Sequence, residues 1–439
     1  MINFFSKIFY YLFLLLPIFL ITGPAIPDLI ITFSSIFLII LIFYKKKYYI
    51  FSNKLFLITI IFWLLIILIS FFSYYKQAAF QDSIIFIRIL LIPIIGYYFF
   101  FINTQNIKIV IYIIFLTVCF VLIDTLFQFI NYDSELGFKN DLLGFKSNWY
   151  GRLTGPFRDE LIPGAYVSKF GLIGYLFFVL NKKNTYYYYG SIFYLSLIGV
   201  VCFASGERMA FATYLLGLLI LLIFYTNQRK KVLFSILTFL LLTFSIYKIH
   251  PFYNDYTIIS STHYHQGLTI EKKFNCKNDK DKICTKIINL QPSFFEVLKN
   301  FKSSAYGEIY LLSYEMFKEN PFSGIGISNY EKVCKNNEKY NNLMKNYKCA
   351  AHPHNYYLQW LSEGGIIVFS FFLFYLFYLF YFIKTNSGEK IYKLVGLTSL
   401  VIIFWPVMST GSLIKNWNGI SIFFIISICL SLSKFKTKN

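Results

Sequence analysis

The stretch Leu29-Ile30-Ile31-Thr32-Phe33-Ser34-Ser35-Ile36-Phe37-Leu38-Ile39-Ile40-Leu41-Ile42-Phe43-Tyr44-Lys45-Lys46-Lys47 is a long apolar run closed by three lysines. The hydrocarbon core of a bilayer is about 30 Å thick and takes roughly 20 apolar residues as a helix. Lysines at the end of such a run favour the cytoplasmic side. One segment therefore supplies both a span and a direction. Working outward from it, the chain holds twelve apolar runs with soft ends, at roughly residues 8–22, 29–43, 55–73, 83–102, 107–128, 163–180, 187–204, 208–225, 232–248, 357–383, 391–408 and 417–433. The link after the first run, Gly23-Pro24-Ala25-Ile26-Pro27-Asp28, lacks a small-x-small cleavage site and leads straight into the next run. The first run thus reads as a retained span and not a signal peptide.

Composition agrees. Of 439 residues, 57% are hydrophobic, 22% aromatic and only 14% charged, against about 25% charged in an ordinary soluble domain. So apolar a chain is not disordered either. The formal net charge of +20 suits a membrane protein whose Lys and Arg sit in loops. No basic-aromatic stripe or nucleic-acid motif accompanies it, so nucleic acid is not an expected partner.

Placing the N-terminus in the cytoplasm gives a consistent alternation. The inner turns carry Lys45-Lys46-Lys47 with Lys54, Lys108, Lys182-Lys183, Arg229-Lys230-Lys231, Lys384 with Lys390, and the tail Lys434, Lys436 and Lys438. The short outer turns are poor in base: 23–28 and 205–207 hold none, 74–82 holds Lys76 and 409–416 holds Lys415. The expected fold class is an all-α integral membrane protein of about 12 transmembrane helices, with both termini cytoplasmic. Residues 1–248 would form nine helices with an outer loop at 129–162. Residues 249–356 would form one large extracytoplasmic loop before the tenth helix, and 357–439 the last three helices.

The large loop holds all five His and four of the seven Cys. Residues 307–319 read as an amphipathic helix stopped by Asn320-Pro321, followed by a glycine turn over Phe322–Ile327. Four cysteines outside the cytoplasm suit two disulfides, with Cys276–Cys284 and Cys334–Cys349 the simplest of three pairings. Reduced or metal-bound cysteines are the rival, although the spacing fits no zinc pattern. Cys119, Cys202 and Cys429 fall in spans and read as packing residues.

Ionisable groups at the lip of a membrane are costly and mark functional candidates. In this topology Arg88, Arg152, Arg158, Arg208, His352 and His354 all lie towards the outer face. A guanidinium is planar, always charged and suited to phosphate. A histidine titrates near neutrality and can take a proton from a hydroxyl. Arginines for a diphosphate and a histidine for an attacking alcohol are the minimal kit for glycosyl transfer from a lipid diphosphate. Each has a plainer reading. Arg88 could be a snorkelling anchor, Arg208 an ion pair with Glu207, and Arg152 and Arg158 part of a solvated loop with Asp159 and Glu160. His354 could simply cap the tenth helix. A buried Glu363 would need a partner, with Arg or Lys the obvious one. Asp124 and Gln128 are four apart near the outer end of the fifth span and could face one cavity.

The stretch His352-Pro353-His354-Asn355-Tyr356-Tyr357-Leu358-Gln359, followed by Glu363-Gly364-Gly365-Ile366-Ile367, resembles the signature of the O-antigen ligase and O-antigen polymerase superfamily. Asn320-Pro321-Phe322-Ser323-Gly324-Ile325-Gly326 resembles the segment that precedes it there. Ser205-Gly206-Glu207-Arg208-Met209-Ala210-Phe211 is similar to the family's arginine motif, and Arg152 to Glu160 with Gly164 and Tyr166 to an upstream loop. Ala212 and Val368 depart from the pattern, where some members carry leucine and many glycine. The resemblance implies a GT-C-like, inverting, metal-independent glycosyltransferase that needs no cofactor. It implies His354 as base and Arg208 on the undecaprenyl diphosphate, with Arg152, Arg158, Arg88, His352, Asn355 and Glu363 as substrate-binding candidates. The expected donor is an undecaprenyl diphosphate-linked glycan. The expected acceptor is lipid A-core for a ligase or a second lipid-linked repeat for a polymerase, at the periplasmic face of the bacterial inner membrane. A transporter or flippase is the rival class. Against it, the charges gather at one face and the chain shows no matching halves. A catalytically dead scaffold is a third reading. No Walker A sequence, dinucleotide fold or zinc motif is present.

Overall fold

A computed structural model of the chain describes residues 2–133, 137–147, 152–181, 185–254, 269–275, 283–289, 299–345 and 347–436. The helices run α1 (Ile2–Leu14), α2 (Leu16–Phe19), α3 (Ala25–Tyr44), α4 (Lys54–Ser70), α5 (Lys76–Leu90), α6 (Ile92–Ile95), α7 (Thr104–Ile130), α8 (Pro163–Leu180), α9 (Thr185–Ala204) and α10 (Arg208–Phe224). They continue as α11 (Arg229–Ile249), α12 (Pro251–Asn254), α13 (Ala305–Glu319), α14 (Tyr330–Asn336), α15 (Glu338–Leu343), α16 (Tyr356–Thr385), α17 (Lys390–Ile403) and α18 (Asn416–Leu432). Each of the twelve apolar runs coincides with helix over most of its length. Among the described residues seven helical stretches are long and apolar enough to cross a membrane, counting Lys76–Phe100 as one, and α1, α4, α10 and α18 are shorter apolar helices. The chain is a multi-pass, all-helical membrane protein.

Prolines set the local breaks. Pro17 separates α1 from α2, and Pro93 separates α5 from α6, because proline lacks the N–H and restrains the residue before it. The fourth run then ends in a π turn over Gly96–Phe100, closed by the Phe101 amide on the Gly96 carbonyl at 2.7 Å. Two runs are shorter or less regular than their hydropathy suggests. Within the soft-ended run 391–408, α17 stops at Ile403, and Phe404–Lys415 forms an irregular strap around Pro406. The run at 357–383 is broken inside α16, where Gly365 has φ 64° and ψ −171°.

The described chain divides into two compact units, Met1–Val110 with Asn300–Asn439, and Ile111–Lys299. In the first, α18 is the core: every residue from Asn418 to Leu432 is buried, against α17, α6, the π turn, α3 and α5. A helix that is apolar all round belongs in such a position. The segment 300–350 carries its own small core of Ile309, Leu312, Met316, Ile325, Tyr330, Val333 and Tyr340. Helix α13 matches the expected amphipathic helix. Ser304 caps it, accepting from the Gly307 amide at 3.1 Å, and it ends at Asn320-Pro321. Cys334 and Cys349 form a disulfide, one of the two local pairs expected; Cys276 lies outside the described residues.

In the second unit, α9 packs closely on α8 and α11. A two-residue pair, β1 (Tyr132–Asp133) with β2 (Gly137–Phe138), begins the loop after α7, and β3 (Thr269–Asn275) pairs antiparallel with β4 (Ile283–Asn289). Asp124 and Gln128 do share a face of α7, but a loop covers that face. The Asp124 carboxylate accepts from the Leu142 amide at 3.1 Å, and Gln128 Oε1 accepts from the Thr154 and Gly155 amides at 3.0 and 2.9 Å.

Candidate functional site

In the first unit the histidine segment leads into α16. His354 has φ 55°, a left-handed backbone that histidine adopts more readily than most residues but that still costs energy. It is held there by the Thr410 amide, which donates to the His354 carbonyl at 3.0 Å. His352 Nε2 lies 3.2 Å from the Thr410 carbonyl; a carbonyl only accepts, so Nε2 carries the proton. The two imidazoles are 4.2 Å apart, and Tyr306 meets His354 edge-on at 5.8 Å. Burial, then the neighbouring His354, pushes His352 down to about 4, and burial also lowers His354. Both rings are therefore neutral at physiological pH, and a neutral imidazole can accept a proton.

Asn355 is buried and fully engaged. Its Oδ1 caps α16 by accepting from the Tyr357 and Leu358 amides at 2.9 and 3.2 Å. Its Nδ2 donates to the Pro406 carbonyl at 2.8 Å and to the Tyr310 hydroxyl at 3.2 Å. Tyr310 donates to the Met408 carbonyl at 2.6 Å, Tyr357 to the Phe404 carbonyl at 2.6 Å, and the Tyr356 and Thr410 hydroxyls lie 2.9 Å apart. The strap 404–412 is thus tied to the histidine segment at almost every step. Sequence reasoning missed Tyr310, Thr410 and the strap. Tyr356 and Tyr357 were visible only as neighbours of the histidines.

Two separated motifs also meet in this unit. The Ile325 and Gly326 amides donate to the Ser362 and Glu363 carbonyls at 2.9 and 3.0 Å, and the Ile366 amide donates to the Pro321 carbonyl at 2.8 Å. The break at Gly365 admits this turn: a Cβ there would stand 2.2 Å from the Phe322 carbonyl oxygen. The expectation that buried Glu363 would pair with Arg or Lys is corrected. It accepts from the Tyr330 amide at 3.3 Å and from Gln359 Nε2 at 3.0 Å, so neutral donors satisfy it and hold the turn. Arg88 sits apart in a network joining α3, α5 and α18. It pairs with Asp28 at 2.6 Å and donates to Thr32 at 2.7 Å and Asn416 at 3.0 Å.

In the second unit Arg208 is the first residue of α10. A cation there opposes the helix dipole, so the position is not chosen for helix stability. Just before it, the Glu207 carboxylate accepts from the Gly164 and Ala165 amides at 2.6 and 2.9 Å, and so serves as a cap for α8 supplied by another helix. Burial pushes this carboxyl up to about 7, opposed first by Arg152 and then by the two amides. Arg152 Nε donates to the Ser205 carbonyl at 3.2 Å, which brings the upstream loop to the turn that presents Arg208. Only glycine fits at 164, where a Cβ would stand 2.5 Å from Ser205 Oγ. Arg158 is exposed, with φ 63°, and lies over the Phe145 ring at 5.2 Å. The sequence reading offers Glu207 as an ion-pair partner of Arg208 and misses its carboxylate as the acceptor for the Gly164 and Ala165 amides.

Residues 193–373 match the family model described as O-antigen ligase, a stretch that includes both the arginine turn and the histidine segment. No curated protein matches this chain.

Proposed function

From its O-antigen ligase domain at residues 193–373 the chain is a member of the O-antigen ligase and O-antigen polymerase superfamily, and on that premise we propose that it transfers a glycan from undecaprenyl diphosphate to a lipid A-core acceptor. The reaction is placed at the periplasmic face of the bacterial inner membrane, with both termini cytoplasmic. The observation that carries the reading is the histidine segment: His354, held in a left-handed backbone by the Thr410 amide, with the His352 imidazole 4.2 Å away.

In this mechanism His354 takes the proton of the acceptor hydroxyl as that oxygen attacks the anomeric carbon. The bond from the anomeric carbon to the diphosphate oxygen breaks with inversion, and undecaprenyl diphosphate leaves as an anion. Arg208 stabilises the charge that grows on the diphosphate, with Arg152 as its supporting cation and Arg158 as a further contact from the exposed end of the same loop. His352 holds the strap through Thr410 and Asn355 sets the start of α16. Glu363 and Arg88 have structural partners and act by position. The diphosphate leaving group supplies the driving force, so no cofactor is invoked.

His354→Ala and Arg208→Ala are each expected to abolish long-chain glycan on intact cells while the protein still inserts. Retained glycan in both would sink the enzyme reading and favour a transporter or scaffold. A deletion strain separates the two transfer reactions. Loss of every long chain from lipid A with accumulation of lipid-linked polymer is the ligase outcome. A single repeat on lipid A is the polymerase outcome.

A further inference from the structure

At the end of the first unit that carries Lys45–Lys47 and the C-terminal lysines, a cavity of about 470 Å³ opens between the α3–α4 turn, the π turn, the end of α16 and the residues after α18. Lys47 and Lys434 both line it, and no Asp or Glu does among the described residues. Lys47 donates to the Tyr98 carbonyl at 2.9 Å and stands 4.9 Å from the Phe99 ring centre. Lys434 stands 3.9 Å from the Tyr97 ring centre. An ammonium has three donors, and Lys47 spends one of them here. Neither lysine forms an ion pair among the described residues. A half-buried cation such as Lys47 without a counter-charge is costly unless an anion joins it, and the exposed Lys434 lines the same cavity.

The backbone is shaped for this arrangement. The π turn over Gly96–Phe100 widens the helix, which places the Tyr97 and Tyr98 rings at the cavity wall and leaves the Tyr98 carbonyl to receive Lys47. Single π turns inside helices recur at functional sites. A second cavity of about 450 Å³ adjoins the first through Phe382. It is a groove between α4 and α16 lined by Leu57, Ile58, Phe374 and Tyr378, with Lys54 and Thr385 at its polar end. Leu57 and Phe374 are 45% and 48% exposed, on helices that face hydrocarbon.

We propose that these two cavities form a binding site for one anionic phospholipid, its phosphate between Lys47 and Lys434 and an acyl chain along the Phe374–Tyr378 groove. Basic pockets between transmembrane helices, open to hydrocarbon, recognise lipid headgroups in this way. The two lysines lie far in sequence from the histidine segment, and the lipid would act as a structural ligand that joins α3, α4, α16 and α18.

The test uses the full-length protein in detergent, titrated with dioleoyl phosphatidylglycerol or dioleoyl phosphatidylcholine and followed by thermal unfolding. The phosphatidylglycerol is expected to raise the melting temperature saturably, and the phosphatidylcholine is not. Lys47→Gln with Lys434→Gln is expected to raise the half-saturating concentration at least tenfold, about fivefold for each lysine. Lys384→Gln with Lys390→Gln, the same charge change on exposed lysines, is expected to leave it unchanged. A wild-type titration curve in the Lys47/Lys434 double variant overturns the proposal. So does an equal gain from inorganic phosphate or glycerol 3-phosphate at the same concentrations, which would assign the cavity to a free phosphate. If the double variant does not fold, the Phe374→Trp protein decides. Phosphatidylglycerol with brominated acyl chains must quench the added indole more than brominated phosphatidylcholine at equal mole fraction, and equal quenching overturns the site.

Discussion

Asn355 joins the start of α16 to the strap 404–412, and its two ends can be separated by substitution. The side-chain oxygen caps the helix, a contribution of about 1 kcal/mol. The side-chain nitrogen donates to Pro406 and Tyr310, two buried bonds worth about 1 kcal/mol each. Serine keeps the cap and removes both donors, so Asn355→Ser is expected to cost about 2 kcal/mol. Alanine removes everything and should cost about 3 kcal/mol. Aspartate keeps the cap but turns a carboxylate towards the Pro406 carbonyl, so it should lose at least as much as serine despite matching asparagine in size. At roughly 2 °C per kcal/mol for a large domain, the melting temperature should fall by about 4 °C for serine and 6 °C for alanine, read by intrinsic fluorescence in detergent. Glycan transfer should fall in all three, because the strap carries Thr410, the partner of both histidines. The reasoning is refuted if serine and aspartate melt with the wild type while alanine alone drops. That result would mean that only the cap matters and the strap is held by something else.

Three further outcomes are expected. Gly365→Ala would place a Cβ 2.2 Å from the Phe322 carbonyl at a left-handed φ, so it should lower stability by more than about 2 kcal/mol; expression and melting close to wild type would contradict the docking of the 320–326 turn. Glu207→Ala leaves the Gly164 and Ala165 amides without their acceptor and should cost about 2–3 kcal/mol, Glu207→Gln about half of that, with glycan transfer falling alongside because Arg208 follows directly. For His352, whose folded value near 4 lies below its ordinary 6.5, the neutral form is favoured by folding. Its contribution to stability is present above about pH 6.5 and is lost as pH falls towards 4; a melting series from pH 7.5 to 4.5 should therefore show a shallower acid limb in His352→Gln than in wild type.

Much of the architecture was legible in hydropathy. The twelve apolar runs coincide with helix over most of their length, and the amphipathic stretch ending at Asn320-Pro321 is helix α13, because spacing, caps and prolines act within a few residues of one another. The errors came where long-range contacts override local pattern. The run 391–408 is apolar to its end, yet the helix stops short of Pro406, and Tyr310, Asn355 and Tyr357 then take the strap's carbonyls while Tyr356 meets the Thr410 hydroxyl. Glu363 looked like an acid in need of a base, yet the Tyr330 amide and Gln359 satisfy it. Arg88 reads from sequence as a substrate-binding candidate or a snorkelling anchor, and the structure adds Asp28, Thr32 and Asn416 as its partners.

The chain's order of residues alone determined that it enters the bilayer and where most of its helices begin, and it singled out the arginine and histidine segments proposed to carry the chemistry. Those properties follow from the transfer energy of apolar side chains and from the intrinsic reactivity of guanidinium and imidazole. Which groups remain available for that chemistry was decided only by tertiary packing. Whether a buried acid or cation is neutralised depends on donors and acceptors tens or hundreds of residues away, and no periodicity in the sequence records their distance.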